Sequence, residues 1–311
     1  MTIVLTKNNY KKKNMDYGKV FETMINETQK YLESNNLQAM ILGISGGLDS
    51  TVTAAICHEV EKRNPELKFI GISLPCTSNT NEENDSAMQC MKAFCKEGQY
   101  WTENLQKEYM LMRATCSQRH LMTTIGQGNI KARLRMTYLY NEANYFKGLV
   151  MDTDNLTEHY LGFFTIHGDV CDYNPIGGLW KHEVYELAQY IKEYYQKENG
   201  ILNTKKVHAL DAVLRIRPTD GNGVNNLGDM GQIAPAFAND KNVIAYKKVD
   251  DIIKKYFYAI TQFPDERDKM IQDLYDKYDK ETVDGVIRRI KSTEYKRNGL
   301  PVVINRKLYN N

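Results

Sequence analysis

The sequence predicts an α/β protein, with an open, mostly parallel sheet flanked by helices. Three observations point there. Short apolar runs at residues 40–44, 67–74 and 148–151 lack polar alternation, as strands covered on both faces do. Segments with apolar residues at helical spacing separate and follow these runs. After Ile44 the chain reads Ser45-Gly46-Gly47-Leu48-Asp49-Ser50, a Gly-rich turn set between a strand and a helix.

Taken in order, Tyr17, Val20, Phe21, Met24, Thr28, Tyr31 and Leu32 mark an amphipathic helix over about residues 15–35. The first strand, the Gly loop and a helix through about residue 62 follow. The second strand is stopped by Pro75, and a helix covers about residues 82–97. Another helix pattern runs over 129–145, entered from Gly126-Gln127-Gly128 read as a flexible link, and leads into the strand at 148–151. Val184, Leu187, Ala188, Ile191 and Tyr195 define a helix after the Gly177-Gly178 turn. Residues 218–241 hold Gly221, Gly223, Gly228, Gly231 and Pro235 without apolar periodicity, which predicts a mobile loop. Val249, Ile252, Ile253, Tyr256 and Phe257 restore a helix, and Val283, Val286, Ile287 and Ile290 a last one before an extended tail at 298–311. The chain reads as one domain over residues 1–311.

Composition narrows the function. A formal net charge of +2 offers no field for nucleic acid or an anionic membrane. Cys57, Cys76, Cys90, Cys95, Cys116 and Cys171 form no C-x-x-C pair, so no structural zinc is expected and the thiols read as reduced. No apolar run approaches the roughly 20 residues that cross a bilayer. The expectation is a soluble, cytoplasmic protein.

The chemistry starts at the Gly loop. Glycines turn backbone N–H groups toward an anion, and the helix N-terminus behind them adds donors and a favourable dipole. The loop lacks the Gly-Lys-Ser/Thr ending of kinase-type phosphate loops and carries Asp49 inside the cradle. A carboxylate beside phosphates is repulsive unless a cation bridges them, so Asp49 reads as a Mg²⁺ ligand. Open parallel sheets bind ligands at the carboxyl ends of their strands. Residues 73–80 and 152–158 reach that same rim, and Glu158 would complete a two-carboxylate clamp with Asp49. Residues 153–158 read equally as a helix start with a capping pattern.

The Gly loop resembles the pyrophosphate loop of N-type ATP pyrophosphatases, and further motifs make the resemblance specific. Gly128-Asn129-Ile130-Lys131-Ala132-Arg133-Leu134-Arg135-Met136, then Gly162-Phe163-Phe164-Thr165 with Gly168-Asp169, and Thr293-Glu294-Tyr295-Lys296-Arg297 are similar, in order, to segments of the ammonia-dependent NAD⁺ synthetases. Pro175, Leu179, Lys181 and Val184 match further positions, so the resemblance spans about residues 15–297. It implies an adenine nucleotide alpha hydrolase-like, Rossmann-like fold. The implied reaction is ATP-dependent amidation of deamido-NAD⁺ (nicotinic acid adenine dinucleotide) with ammonia, through an adenylated carboxylate, releasing AMP and pyrophosphate. By matched position it implies ATP contacts from Ser45, Gly46, Gly47, Asp49, Ser50, Thr153, Lys181 and Thr219. Asp49 and Lys181 would act in catalysis, and Asp49 with Glu158 would hold Mg²⁺. Arg133, His167, Asp172, Tyr295 and Lys296 would contact the dinucleotide. It also implies a homodimer, with Arg133, Lys296 and Arg297 as candidates to complete the partner's site.

The sequence departs from that pattern at Ile166 and Tyr295, where the family carries Lys and His, at Ser73 before Leu74-Pro75, and near Asp172, where one residue is missing. These changes touch substrate contacts and leave the phosphate and metal set whole. Two other readings are set against this one. A tRNA-adenylating pyrophosphatase would need a basic appendage or paired cysteines, which the charge and cysteine spacing do not offer. A nucleotide sensor would have little use for Asp49, Glu158 and Lys181 together.

Overall fold

The computed structural model of the chain describes residues 15–76, 79–197, 201–215, 231, 233, 242–262 and 264–297. Its centre is a four-stranded parallel sheet of β1 (Ala39–Gly43), β2 (Lys68–Ser73), β3 (Tyr100–Thr102) and β4 (Leu149–Met151), in the order β3-β2-β1-β4. Successive strand side chains point to opposite faces. Met40 and Leu42 therefore enter one buried cluster with Phe69, Ala55, Ile56 and Val184, while Ala39 and Ile41 enter the other with Ile70, Ile72, Val150 and Leu139. Burial on both sides explains why the central strands read as unbroken apolar runs.

The first face is covered by α1 (Tyr17–Ser34), α2 (Leu48–Arg63), α3 (Asn81–Phe94) and α7 (Lys181–Lys197). The second is covered by α5 (Thr124–Tyr145), which follows α4 (Gln106–Cys116). A short α6 (Leu156–Leu161) leaves the end of β4. Beyond α8 (Ile201–Arg215), helix α9 (Asn242–Gln262) packs against α6 and α7, α10 (Arg267–Lys277) against α9 and α11 (Lys280–Ser292), and α11 against α6 and α9; a 3-10 turn, Glu294–Arg297, closes the described chain.

The chain runs from β1 outward through β2 to β3, then returns to place β4 on the other side of β1. The order in which strands are added reverses between β1 and β4, and at such a switch point the two following loops diverge and leave a crevice. The loop at 44–47 and the loop at 152–155 flank it. One expectation is corrected here. Gly126, Gln127 and Gly128 are not a flexible link but the first turn of α5, where the Thr123 hydroxyl accepts from the Gly126 N–H at 3.0 Å. An N-cap satisfies an end donor and outweighs the modest cost of glycine there. The loop expected at 218–241 lies outside the described residues except for Gly231 and Ile233, and the tail at 298–311 lies wholly outside them. Among the described residues, no helix is long and apolar enough to cross a membrane.

Candidate active site

The Gly loop is built around one residue that needs a left-handed backbone. Gly46 sits at φ +83, and a Cβ there would lie 2.3 Å from the Glu83 carbonyl oxygen of α3. Ser86 of α3 donates to the Gly46 carbonyl at 2.8 Å, so the loop is braced from behind. Gly47 is the N-cap of α2 and brings no side chain to its first N–H groups. Ser45 and Ser50 pair through their hydroxyls at 3.0 Å, and Ser50 also donates to the Gly47 carbonyl at 3.1 Å. The outcome is a helix N-terminus whose donors and dipole face the crevice, as an anion site requires.

Across the crevice, α6 begins with a reciprocal cap. Asn155 accepts from the Glu158 N–H at 3.1 Å, and Glu158 Oε2 accepts from the Asn155 N–H at 3.0 Å. The capping pattern read from the sequence is therefore real, and it also aims Glu158 at the crevice. Asn155 donates to Asp49 Oδ1 at 3.0 Å, which joins the two loops directly. Lys181, at the start of α7, is 3 % exposed; its ammonium contacts Asp49 Oδ2 and lies 3.1 Å from Glu158 Oε1. Burial works against that charge, but Asp49 and Glu158 override it and hold the Lys181 pKa well above its ordinary value.

Asp49, Glu158 and Lys181 line one cavity of about 410 Å³ with Ser45, Gly46, Gly47, Ser50, Thr153 and Lys296. Its walls differ in charge. Asp154 and Asp169 lie on the acidic side, where burial first, and for Asp154 also the carboxylates of Asp152, Glu158, Asp169 and Asp49, push their pKa values up. Behind them Asp152 is pushed up to about 6 by burial. Arg135, Arg289 and Lys296 supply the cationic side. Arg135 donates to the Leu74 carbonyl at 3.0 Å and to Asn79 at 3.0 Å.

The cationic wall doubles as a clasp. Arg297 donates to the Tyr160 carbonyl at 2.8 Å, Arg289 to that of Leu161 at 2.9 Å, and Lys296 to those of Gly162 at 2.8 Å and Phe164 at 2.5 Å. These are carbonyls at and just beyond the C-terminal end of α6, which lack helical partners and attract positive charge. Gly162 is left-handed at φ +64, and a Cβ there would meet Thr293 at 2.4 Å. Burial, with Arg289 second, lowers the Lys296 pKa.

Lys296 lines the cavity of its own chain, and Arg297 donates to its own chain's carbonyls. Of the other expected dinucleotide contacts, none lines this cavity. Arg133 is exposed and donates to the Ile166 carbonyl at 3.3 and 3.1 Å, beside exposed His167 at φ 56. Tyr295 is 59 % exposed. Asp172 accepts from the Tyr140 hydroxyl at 2.7 Å and the Val150 N–H at 2.9 Å. Thr219 lies outside the described residues. Sequence reasoning did not single out Arg135 and Asp169, although both stand inside the quoted motifs, nor Asp154, which lies in the rim segment at 152–158, nor Arg289, which carries no local signal.

The donor set suits a hard divalent cation. Among the described residues, no group of three or more His, Cys, Asp or Glu is arranged to hold a metal alone. Mg²⁺ usually takes one or two carboxylates and completes its shell with water and substrate phosphates, which Asp49 and Glu158 beside an anion cradle allow.

Comparison with known proteins gives a consistent result. The family described as NAD synthase matches residues 20–204. The NH(3)-dependent NAD(+) synthetase of Methanocaldococcus jannaschii is 34% identical over 201 residues, covering 59% of this chain and 72% of that protein. The structure of NMN synthetase from Francisella tularensis superposes with a TM-score of 0.69 at 21% identity, over 94% of this chain and 100% of that one. That of the NH3-dependent NAD synthetase from Campylobacter jejuni, in complex with nitrate, gives 0.64 at 22% identity, over 94% and 100%. At those identities the two structures share the fold.

Proposed function

Because the chain belongs to the NAD synthase family, we infer that it amidates deamido-NAD⁺ with ammonia at the expense of ATP, releasing AMP and pyrophosphate. The observation that carries this reading is the meeting of Asp49, Glu158 and Lys181 beside the Gly loop at the sheet's switch point.

A carboxylate is a poor acyl electrophile because its oxygen does not leave. A nicotinate carboxylate oxygen forms a bond to the α-phosphorus while the bond from that phosphorus to the bridging oxygen breaks, and pyrophosphate departs. The α2 N-terminus and Lys181 hold the negative charge that grows on the leaving group. Asp49 and Glu158 would hold Mg²⁺, which supplies neutralisation of polyphosphate charge when bound. Ammonia then attacks the activated carbonyl carbon and AMP leaves. The proton shed by nitrogen needs an acceptor, and Asp154 and Asp169 are wall carboxylates with raised pKa values suited to that task. No protein nucleophile is required, so positioning and electrostatics carry the rate. Arg133, His167, Asp172 and Tyr295 remain proposed contacts for parts of the dinucleotide that extend beyond the cavity.

The same reading includes a homodimer. Leu111 is 72% exposed, Leu121 101% and Ile125 62%, together with Met110 and Met112, a concentration of apolar surface along α4, the loop after it and the start of α5. Sedimentation would show a dimer that Leu111→Glu with Leu121→Glu dissociates; a wild-type monomer at all concentrations would refute it. The six cysteines are free, in keeping with a reducing, cytoplasmic setting.

The test of the reaction is direct. The chain is incubated with ATP, Mg²⁺, ammonium and deamido-NAD⁺, with nicotinic acid mononucleotide as a second acceptor in a parallel arm. NAD⁺ and equal amounts of AMP and pyrophosphate are expected. ADP with inorganic phosphate as main products would overturn the reaction class, and exclusive use of the mononucleotide would overturn the substrate.

A further inference from the structure

Asp250 lies on α9, beyond the residues that the family profile matches, and it is 0 % exposed. It does not line the cavity. One carboxylate oxygen accepts from the Thr157 hydroxyl at 2.5 Å. The other accepts from the His182 backbone N–H at 3.2 Å and lies 2.6 Å from His182 Nδ1. The Thr157 hydroxyl in turn accepts from the Lys181 N–H at 2.8 Å. The sequence makes this arrangement pointed, since Thr157 precedes Glu158 and His182 follows Lys181. One buried carboxylate therefore fastens the backbone neighbours of the two charges that meet across the cavity at 3.1 Å.

A buried carboxylate is costly unless its lone pairs are filled, and here three donors converge on it. Its donors come from the first turns of α6 and α7, the two elements that carry Glu158 and Lys181. The same helix adds a weaker hold: Lys254 lies 3.8 Å from Glu183 and over the Trp180 ring at the start of α7. Without Asp250, the Thr157 hydroxyl would lose its acceptor and the start of α7 would lose two contacts to α9. The separation of Glu158 from Lys181 would then rest on the Asn155 cap and on their own charges, which must rearrange when a polyphosphate enters.

We propose that Asp250 is a positioning residue for the amidation reaction, acting through Thr157 and His182 to fix Glu158 and Lys181 at the spacing that Mg²⁺-ATP requires. This rests on the roles given to Glu158 and Lys181 above. Losses of about 10- to 100-fold are typical when an outer partner of a metal or phosphate ligand is removed.

The test compares Asp250→Asn, Thr157→Val and Thr157→Ser in the full chain. Asparagine keeps the size of Asp250 but turns an N–H group toward one of its donors. Asp250→Asn and Thr157→Val should each lower kcat by about 10-fold or more. Each should raise the Mg²⁺ concentration at half-maximal rate and leave the KM for ammonia unchanged. Thr157→Ser keeps the hydroxyl and should restore wild-type behaviour. The double variant should be no worse than the more severe single one, because both cut the same chain of bonds. Calorimetric binding of Mg²⁺-ATP should weaken in parallel. Wild-type kcat and Mg²⁺ dependence in Asp250→Asn would overturn the proposal, as would a loss explained wholly by a smaller folded fraction. If Asp250→Asn does not fold, Thr157→Val with its serine rescue decides alone. Should the wild type make no NAD⁺, the reaction assignment fails, while Mg²⁺-ATP binding still reports on Asp250.

Discussion

The Lys181 ammonium stands 3.1 Å from the Glu158 carboxylate and also contacts Asp49, so one side-chain cation occupies the space between the two proposed metal ligands. Two carboxylates pointed at one another repel, and the lysine keeps them together in the protein alone. When a metal-bound polyphosphate arrives, the ammonium has new anionic partners and the carboxylates have a divalent one.

Replacing that ammonium should separate binding of metal from catalysis. Lys181→Met is expected to bind Mn²⁺, read by electron paramagnetic resonance without nucleotide, at least about tenfold more tightly, since a competing positive charge is gone. Its kcat should fall by roughly 10²- to 10³-fold, the usual cost of losing a donor to developing charge. Unchanged Mn²⁺ affinity would sink the idea that the lysine and the metal share a place.

The Gly loop should tolerate no side chain at its left-handed residue. Gly46→Ala combines a strain of about 1–2 kcal/mol with a Cβ driven onto the Glu83 carbonyl. A lower melting temperature and a raised KM for ATP are expected. Gly178→Ala is the control, because nothing lies within 4 Å of its added Cβ. Equal behaviour of the two variants would show that the loop adjusts freely.

Acid should weaken the fold through His58, away from the cavity. Its Nδ1 lies 2.8 Å from the Phe94 carbonyl and its Nε2 2.8 Å from Lys206 Nζ, which assigns the proton to Nδ1 and leaves Nε2 accepting from the ammonium. Burial first, then the Lys206 charge, pushes its pKa down to about 4. The unfolded histidine titrates near 6.5, so between those values the unfolded chain binds a proton that the folded one refuses. Stability is therefore complete above about pH 6.5 and lost toward pH 4, at up to about 1.4 kcal/mol per pH unit from this group. Urea titrations at pH 5 and pH 7 should show a smaller difference for His58→Gln than for the wild type. The same difference in both would remove His58 from the account.

The clasp on α6 should be worth more than a surface charge. Arg297 donates to the carbonyls of Tyr160 and Ile290, at 2.8 and 2.6 Å, and to the Thr293 hydroxyl at 3.0 Å. Arg297→Ala leaves those acceptors short of a partner, at a cost of about 1–3 kcal/mol. Lysine cannot span them with one ammonium, so Arg297→Lys should recover little. Thermal melting checks both, and a wild-type melting temperature for either variant would count against the clasp.

Strands β1, β2 and β4 were legible because burial on both faces leaves apolar runs at residues 39–43, 69–72 and 149–151. The short β3 was not, since its three residues are half-buried or exposed and its edge position demands little of the sequence. Helices α4 and α10 each bury a single side chain, Tyr109 and Leu274, and so show no apolar stripe. In the site, Asp49, Glu158 and Lys181 could be found because each sits at the start of an element, beside a turn that announces it. Asp250 arrives from the middle of one C-terminal helix and Arg289 from the last turn of another, each beside a second charge (Asp251, Arg288), so both look like solvated surface. Only packing reveals that Asp250 faces inward.

The clasp also orders events in time. The Gly loop and the rim at residues 160–164 leave the ribosome well before Arg289, Lys296 and Arg297, the nearest of which bonds a carbonyl 128 residues upstream. The rim around Glu158 therefore cannot be closed until those three residues have been made. Asp49, Glu158 and Lys181 are thus all synthesised before the clasp, so securing the corner where they meet waits on the last helices described.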